Sequence, residues 1–282
     1  MATVPVTGGG GFIGSRVVAV LVADGWAVRV LDSAPPEWLP DGVDYRRGDL
    51  ADEGFVTDAA RGADAVTHHG AKVGLEQGVA DMVELVRAND LGTAPLLRAL
   101  DCVDFRGRLV LAASIVVYGE GSYRCPQHGA VRPAPRPEHR LSAGCYEPTC
   151  PRRGADVEGE PIGEDAAPEP RSVYAATKLH QEHLCGVLAR QRAVPYLALR
   201  DHNAYGRGMP HDTSYAGVAA LFAFGAGAPR PVVRGGNRPG DVRHVVASPR
   251  RAGEVLGFEA SVTLAEGMAD FATTARARPR VG

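Results

Sequence analysis

The stretch TVPVTGGGGFIGSRVVAVLVADGWAVRVLD, residues 3–32, constrains the fold more than any other part of the chain. A short β-branched run enters a glycine-rich loop, the loop opens a run with helical apolar spacing, and a second apolar run ends on an acid. Gly8, Gly11 and Gly14 follow the spacing GxxGxxG. Such a loop permits a tight turn and close backbone approach, and it aims the free N–H groups and positive dipole end of a helix at a pyrophosphate. Asp32 lies 18 residues past Gly14 (32 − 14), at the end of the second strand. There a carboxylate accepts hydrogen bonds from an adenosine ribose and repels a 2′-phosphate, so NAD is expected over NADP. A glycine turn beside a surface Asp is the plainer alternative, and the ordered strand, loop, helix, strand and acid argue against it.

The alternation continues through GFVTDAARG, DAVTHHG, MVELVRANDLGTAPLLRAL and RLVLAAS, helix and strand by turns. That rhythm predicts an α/β fold, a doubly wound parallel sheet with helices on both faces. From Glu120 to Pro170 the chain is rich in Pro, Gly, Arg and Cys without periodicity, and is expected to be an inserted loop. Regular structure returns with a helix over Tyr174 to Arg190 and the strand PYLALR. Two further helical pieces, TSYAGVAALFAFG and SPRRAGEVLGF, flank a Gly/Pro/Arg segment from Ala228 to Gly240. The expected organisation is a nucleotide-binding domain over 1–205, with the inserted loop at about 120–170, and a small substrate-binding region over 206–282.

Composition narrows the partners. With 282 residues and 45% hydrophobic content the chain can bury a normal core. A formal net charge of -2 argues against nucleic acid or a membrane surface as partner, and the early apolar run Val17 to Val22 is too short for a membrane span. A cytoplasmic protein is expected. Five cysteines, an odd number scattered through a long chain, argue against a disulfide framework.

In RSVYAATKLHQEHL, Tyr174 and Lys178 stand at i and i+4 on the head of the expected helix, sharing one face. A phenol with a free pKa of about 10 is a poor base at neutral pH, but a neighbouring ammonium favours phenolate. The pair is therefore either surface chemistry or a proton-transfer device.

TGGGGFIGS at Thr7 to Ser15, GDL at Gly48 to Leu50, RANDLGT at Arg87 to Thr93, SIVVYG at Ser114 to Gly119, YAATK at Tyr174 to Lys178 and LRDHNAYG at Leu199 to Gly206 form a set. Together they resemble the extended short-chain dehydrogenase/reductase family, nearest its NAD-dependent nucleotide-sugar epimerase/dehydratase branch. The resemblance implies a Rossmann-like fold with Tyr174 as acid/base, Lys178 holding the nicotinamide ribose and Ser114 hydrogen-bonding the reacting hydroxyl. It implies NAD contacts from Gly8, Gly11, Phe12, Ile13, Gly14 and Asp32 in the first βαβ unit, and from Asp49, Leu50, Gly70, Ala71, Lys72, Asn89, Tyr174 and Lys178 beyond it. It implies substrate contacts from Ser114, Asn203 and Arg238, the last gripping a nucleotide diphosphate.

The implied activity is nucleotide-sugar epimerisation by transient hydride transfer, oxidation to a keto-sugar and re-reduction. Alternatives are an NAD(P)-dependent ketoreductase acting on a smaller, non-nucleotide carbonyl or alcohol substrate and a non-catalytic dinucleotide-binding protein. A homodimer paired through helices that include Leu91 to Leu100 and Tyr174 to Arg190 is also implied.

Several departures bear on the reading. Ile115 and Val116 follow Ser114 where dehydratases of the family carry an acidic pair, which disfavours elimination. VAALFAFGAGAPRPVV runs almost directly into RGGNRPGDVRHVV, so the C-terminal substrate-binding region is expected to be shortened. Asp201 and His202 alter the wall near Asn203. His68 and His69, beside Gly70, are expected as partly exposed strand-end histidines. Cys125-Pro-Gln-His128 and Cys150-Pro-Arg-Arg153 look like two halves of a zinc knuckle, with Arg153 where a fourth ligand would fall. No metal is expected, and Cys125, His128, Cys145 and Cys150 are the alternative ligand set.

Overall fold

A computed structural model describes residues 1–73, 78–210 and 241–276. Arg238, the helical piece TSYAGVAALFAFG and the junction expected to be shortened lie in or across residues outside that set. The chain forms two compact units. The first is built from Met1–Ser114 and Ala176–Ala204, and the second from Ile115–Ala175 with the described residues of 205–210 and 241–276.

In the first unit the β-branched runs become strands β1 (Thr3–Thr7), β2 (Ala27–Asp32), β3 (Asp44–Arg47), β4 (Ala65–His68) and β5 (Arg108–Ala112). With Tyr196–Leu199 as β9 they form one parallel sheet in the order β3-β2-β1-β4-β5-β9. The order reverses at β1, which puts the crevice beyond the carboxyl ends of β1 and β4, where ligands of open α/β sheets bind. Strand alternation divides the core. Val4, Val6, Val28 and Val30 pack with Val18 of helix α1 (Phe12–Ala23), whereas Leu31, Val66, Leu109 and Leu111 pack against helices on the other side. Those helices are α2 (Glu53–Ala60), α4 (Gly92–Cys102) and α6 (Val173–Arg192), through residues such as Val56, Leu96, Leu100 and Leu188. Asp52 starts α2 by accepting from Phe55 N at 3.1 Å, a side-chain N-cap.

Before α4 the chain runs through a short helix α3 (Met82–Leu85) and a π-wound stretch, Val86–Leu91. Pro95 in the first turn of α4 offers no N–H to the carbonyl four residues back, and the winding widens just before it. This stretch carries Asn89.

In the second unit the segment expected to be an irregular loop holds a three-stranded antiparallel sheet, β7-β6-β8, from Ser122–Cys125 (β6), Gly129–Val131 (β7) and Glu158–Glu160 (β8). Strands of three or four residues are too short to leave a periodic apolar pattern, so composition alone reads as loop. A short helix α5 (Glu138–Ser142) lies between β7 and β8. Buried Glu120 ties the sheet to the later chain: its Oε1 accepts from Tyr123 Oη at 2.6 Å and from Arg243 N at 2.8 Å. Ile162 pairs with Ala247 in a parallel bridge, and helices Arg250–Leu256 and Leu264–Arg276 follow. No described helix is long and apolar enough to cross a membrane.

Candidate active site

The glycine loop joins β1 to α1. Gly8 takes the left-handed φ of 65°, and a Cβ there would stand 2.8 Å from Gly70 N. At Gly14 a Cβ would meet Gly8 O at 2.1 Å. Side chains at either position would therefore prise the turn open. Gly11 begins α1 without a side-chain cap, and the first turn carries no acid. The N–H groups of Phe12, Ile13 and Gly14 thus have no carbonyl within the helix, and no acidic side chain of the first turn faces the dipole's positive end. Asp32, the last residue of β2, accepts from Gly10 N at 3.0 Å and from Ala34 N at 3.1 Å. These two bonds fix the carboxylate beside the loop and leave it lone pairs for a diol. The residues suit a dinucleotide: amide donors for a pyrophosphate, a fixed acid for a ribose.

The remaining residues of the expected cofactor set gather around the ends of β3 and β4. Leu50 packs against Gly70, where a Cβ would come within 2.7 Å of Leu50 Cδ1. Asp49 is exposed and accepts from Ala51 N at 2.9 Å. Buried Asn89 grips the backbone of Lys72 from both sides, Oδ1 accepting from its N–H at 2.7 Å and Nδ2 donating to its carbonyl at 3.2 Å. The same Nδ2 donates to Thr177 Oγ1 at 2.9 Å. Asn89 therefore joins the Gly70-Ala71-Lys72 strand exit to α6 at the residue before Lys178. The Lys72 ammonium itself pairs with Glu84.

Lys178 is 3% exposed, and its Nζ donates to Ala112 O at the end of β5. Burial pulls its pKa down to about 8, opposed chiefly by the Asp201 carboxylate. Burial pushes Asp201 up to about 6, and the Lys178 charge works against that rise. The sequence singles out both the lysine and the acid but not their coupling, because 23 residues separate them (201 − 178). Tyr174 stands one turn before Lys178 on the same helix, and Ser114 lies two residues past β5. The division between the two units falls directly after Ser114 and between Ala175 and Ala176. Asn203 is exposed, and Arg238 is outside the described residues.

His68 corrects an expectation. It is 1% exposed, the centre of a buried polar chain and not a strand-end surface residue. Thr93 Oγ1 donates its only proton to Asn89 O at 2.6 Å, so His68 Nε2, 2.9 Å away, carries the proton and donates to Thr93. Nδ1 then accepts from Thr7 Oγ1 at 2.6 Å, while Gly70 N donates to that same hydroxyl at 3.0 Å. Gln181 Nε2 on α6 donates to Thr93 at 2.8 Å. Burial, reinforced by Lys178 and His69, pulls the imidazole down to about 3, in keeping with this neutral tautomer. His69, bonded to Thr67 Oγ1 at 2.8 Å, is pulled to about 4 by burial and then by Lys178, and its Nδ1 is buried without a partner among the described residues.

A six-stranded parallel sheet in this order, with a side-chain-free loop at its switch point and an acid ending β2, defines a Rossmann-like dinucleotide-binding protein. The NAD dependent epimerase/dehydratase family matches residues 4–242, and the chain belongs to that family. Among curated proteins it is 29% identical over 238 residues to dTDP-L-rhamnose 4-epimerase of Burkholderia thailandensis, covering 77% of this chain and 62% of that protein. It is 33% identical over 204 residues to 2-alkyl-3-oxoalkanoate reductase of Stenotrophomonas maltophilia, covering 72% and 51%. The chain thus matches less than two thirds of the length of these relatives. Among solved structures, the UDP-glucose 4-epimerase of Thermus thermophilus in complex with NAD superposes with a TM-score of 0.72 at 25% identity, covering 98% of this chain and 99% of that one.

Proposed function

We propose that the protein interconverts the epimers of a nucleotide sugar by transient hydride transfer, with NAD as resident cofactor. The observation that carries this reading is Lys178: a buried ammonium one turn after a tyrosine, tied to the end of β5. A surface i,i+4 pair would leave its ammonium in water, whereas burying a charge is costly and is kept where chemistry uses it.

Bound NAD supplies the acceptor and donor of hydride. The proton work falls to the chain. Tyr174 takes the proton of the sugar hydroxyl as its carbon is oxidised and returns one after the keto-sugar has turned its other face. Lys178 binds the nicotinamide ribose, and its charge holds the phenol nearer phenolate. Ser114 orients the reacting hydroxyl, Asp32 takes the adenosine ribose, and Asn203 and Arg238 serve the substrate. Ile115 and Val116 after Ser114 offer no acid pair for an elimination, which favours epimerisation over dehydration. The resemblance also supports a cytoplasmic homodimer with its substrate region in 206–282.

The test is to give purified, NAD-containing protein a UDP- or dTDP-hexose and follow both epimers. Epimer formation without net change in NADH is expected, and Tyr174→Phe is expected to lower kcat about 10²–10⁴-fold with NAD binding kept. Net NADH consumption with reduction of a free ketone would replace the epimerase by a reductase. Unaltered turnover in Tyr174→Phe would remove the proton role.

A further inference from the structure

Two turns of the second unit share one pattern. Cys125-Pro-Gln-His-Gly129 joins β6 to β7, and Cys150-Pro-Arg-Arg-Gly154 lies inside the bridge between Thr149 and Asp156. Each closes on a left-handed glycine, Gly129 at φ 67° and Gly154 at φ 70°. In the first, Cys125 pairs with Gly129 across the β6–β7 ladder, so the turn brings the Cys125 sulfur within 3.6 Å of His128 Nδ1. In the second, Arg153 N and Gly154 N both donate to Cys150 O, at 3.3 Å and 2.8 Å. Twin turns of this kind present the cysteine and the residue three further on to a common point.

The side chains meet there. His128 Nδ1 lies 3.3 Å from Cys150 Sγ and 3.6 Å from Cys125 Sγ, and the three atoms all fall within 4.8 Å of one another. Both cysteines are 1% exposed. A single ring nitrogen has one proton or one lone pair to direct, so it cannot serve two sulfurs with separate good hydrogen bonds. It can share a cation with them. With Zn–S of about 2.3 Å and Zn–N of about 2.0–2.1 Å, a tetrahedron has S···N edges of roughly 3.5–3.6 Å, close to the two S···N separations of 3.3 Å and 3.6 Å.

We propose that Cys125, His128 and Cys150 bind one zinc ion as three corners of a tetrahedron. Two thiolates and an imidazole suit zinc and not magnesium or calcium. On binding, both thiols release their protons to solvent, and two thiolates balance the charge of Zn²⁺. The fourth corner belongs to water or a small ligand. Arg153 holds the place equivalent to His128 in the second turn and cannot ligate, and Cys145 is exposed and is no member of the group. The metal is a staple: the cluster it joins contains only Tyr123, Cys125, Cys150 and Val157 as buried side chains, a small core for three short strands. The site is independent of the proposed activity.

Zinc content of the full chain, purified with a thiol reductant from zinc-supplemented cells, tests this. About one zinc per chain is expected, falling at least tenfold in Cys150→Ser. Because that variant can lose its fold, R153C supplies the second arm. Adding the fourth thiolate should slow zinc loss to a chelator at least tenfold while leaving far-ultraviolet circular dichroism unchanged. Cobalt(II) in place of zinc should give the absorption of a tetrahedral thiolate site. Protein that carries no zinc, or a Cys125–Cys150 disulfide in the untreated chain, or R153C that loses zinc at the native rate, would overturn the proposal.

Discussion

The two units hold their polar groups in opposite ways. Around His68 the first unit buries a neutral chain of hydroxyl, imidazole and amide between apolar layers. Around β6 the second unit has a cluster of four buried side chains, two of them cysteines, and leans on a buried carboxylate and on surface ion pairs such as Arg243–Glu147. A wide parallel sheet has enough apolar surface to dehydrate uncharged polar groups and still be stable. A sheet of three- and four-residue strands does not, and charge or metal must supply the rest.

The largest break in that contrast is expected from Leu111→Ala, since Leu111 is 0% exposed in the first unit's core. Its loss should cost about 2–5 kcal/mol in urea unfolding. A cost below about 1 kcal/mol would mean that this core is not what holds the sheet.

Next comes His68→Gln. Because Thr7 or Thr93 then lacks a well-placed partner, a loss of about 1–3 kcal/mol at pH 7 is expected. The sign with pH follows from the lowered value of His68: the unfolded chain takes up a proton near 6.5, and the folded protein not until about 3. That contribution is full above about 6.5 and is lost as pH falls toward about 3. The variant should therefore lose less stability over that window than the native chain, and equal slopes would show that His68 is not the titrating group.

The smallest effect is expected on the surface of the second unit. Arg250 Nη1 meets Glu254 Oε1 at 2.9 Å, with side chains 65% and 57% exposed. Breaking this i,i+4 pair with Arg250→Ala should cost about 0.3–0.5 kcal/mol, falling further in high salt. A loss above about 1 kcal/mol would show that exposed ion pairs, and not the buried groups near Glu120 and Cys125, hold this unit.

Much of the fold is legible in order along the chain. β1, α1, β2 and the acid at Asp32 stand where the glycine spacing and β-branched runs put them. Tyr174 and Lys178 can be paired from sequence because i and i+4 is a local relation on one helix. The burial of His68 is not legible, because its partners Thr7 and Thr93 lie 61 and 25 residues away, and only packing of β1, β4 and α4 brings them to its ring. Asp201 beside Lys178 is hidden for the same reason, and the β7-β6-β8 sheet because its strands are shorter than any period they could display.

By itself, then, the sequence determined the elements of the first unit, their parallel winding and the local devices: the glycine turn, the helical Tyr174–Lys178 pair and the twin Cys-Pro segments. Each rests on backbone sterics and spacing within a few residues. Only the tertiary structure decided which polar groups are buried and with whom: neutral His68, Asn89 astride Lys72 and Thr177, Lys178 on the end of β5, and His128 between two sulfurs. Burial and hydrogen-bond partnership depend on chain segments far apart in sequence, and it is these that set charge state and chemistry.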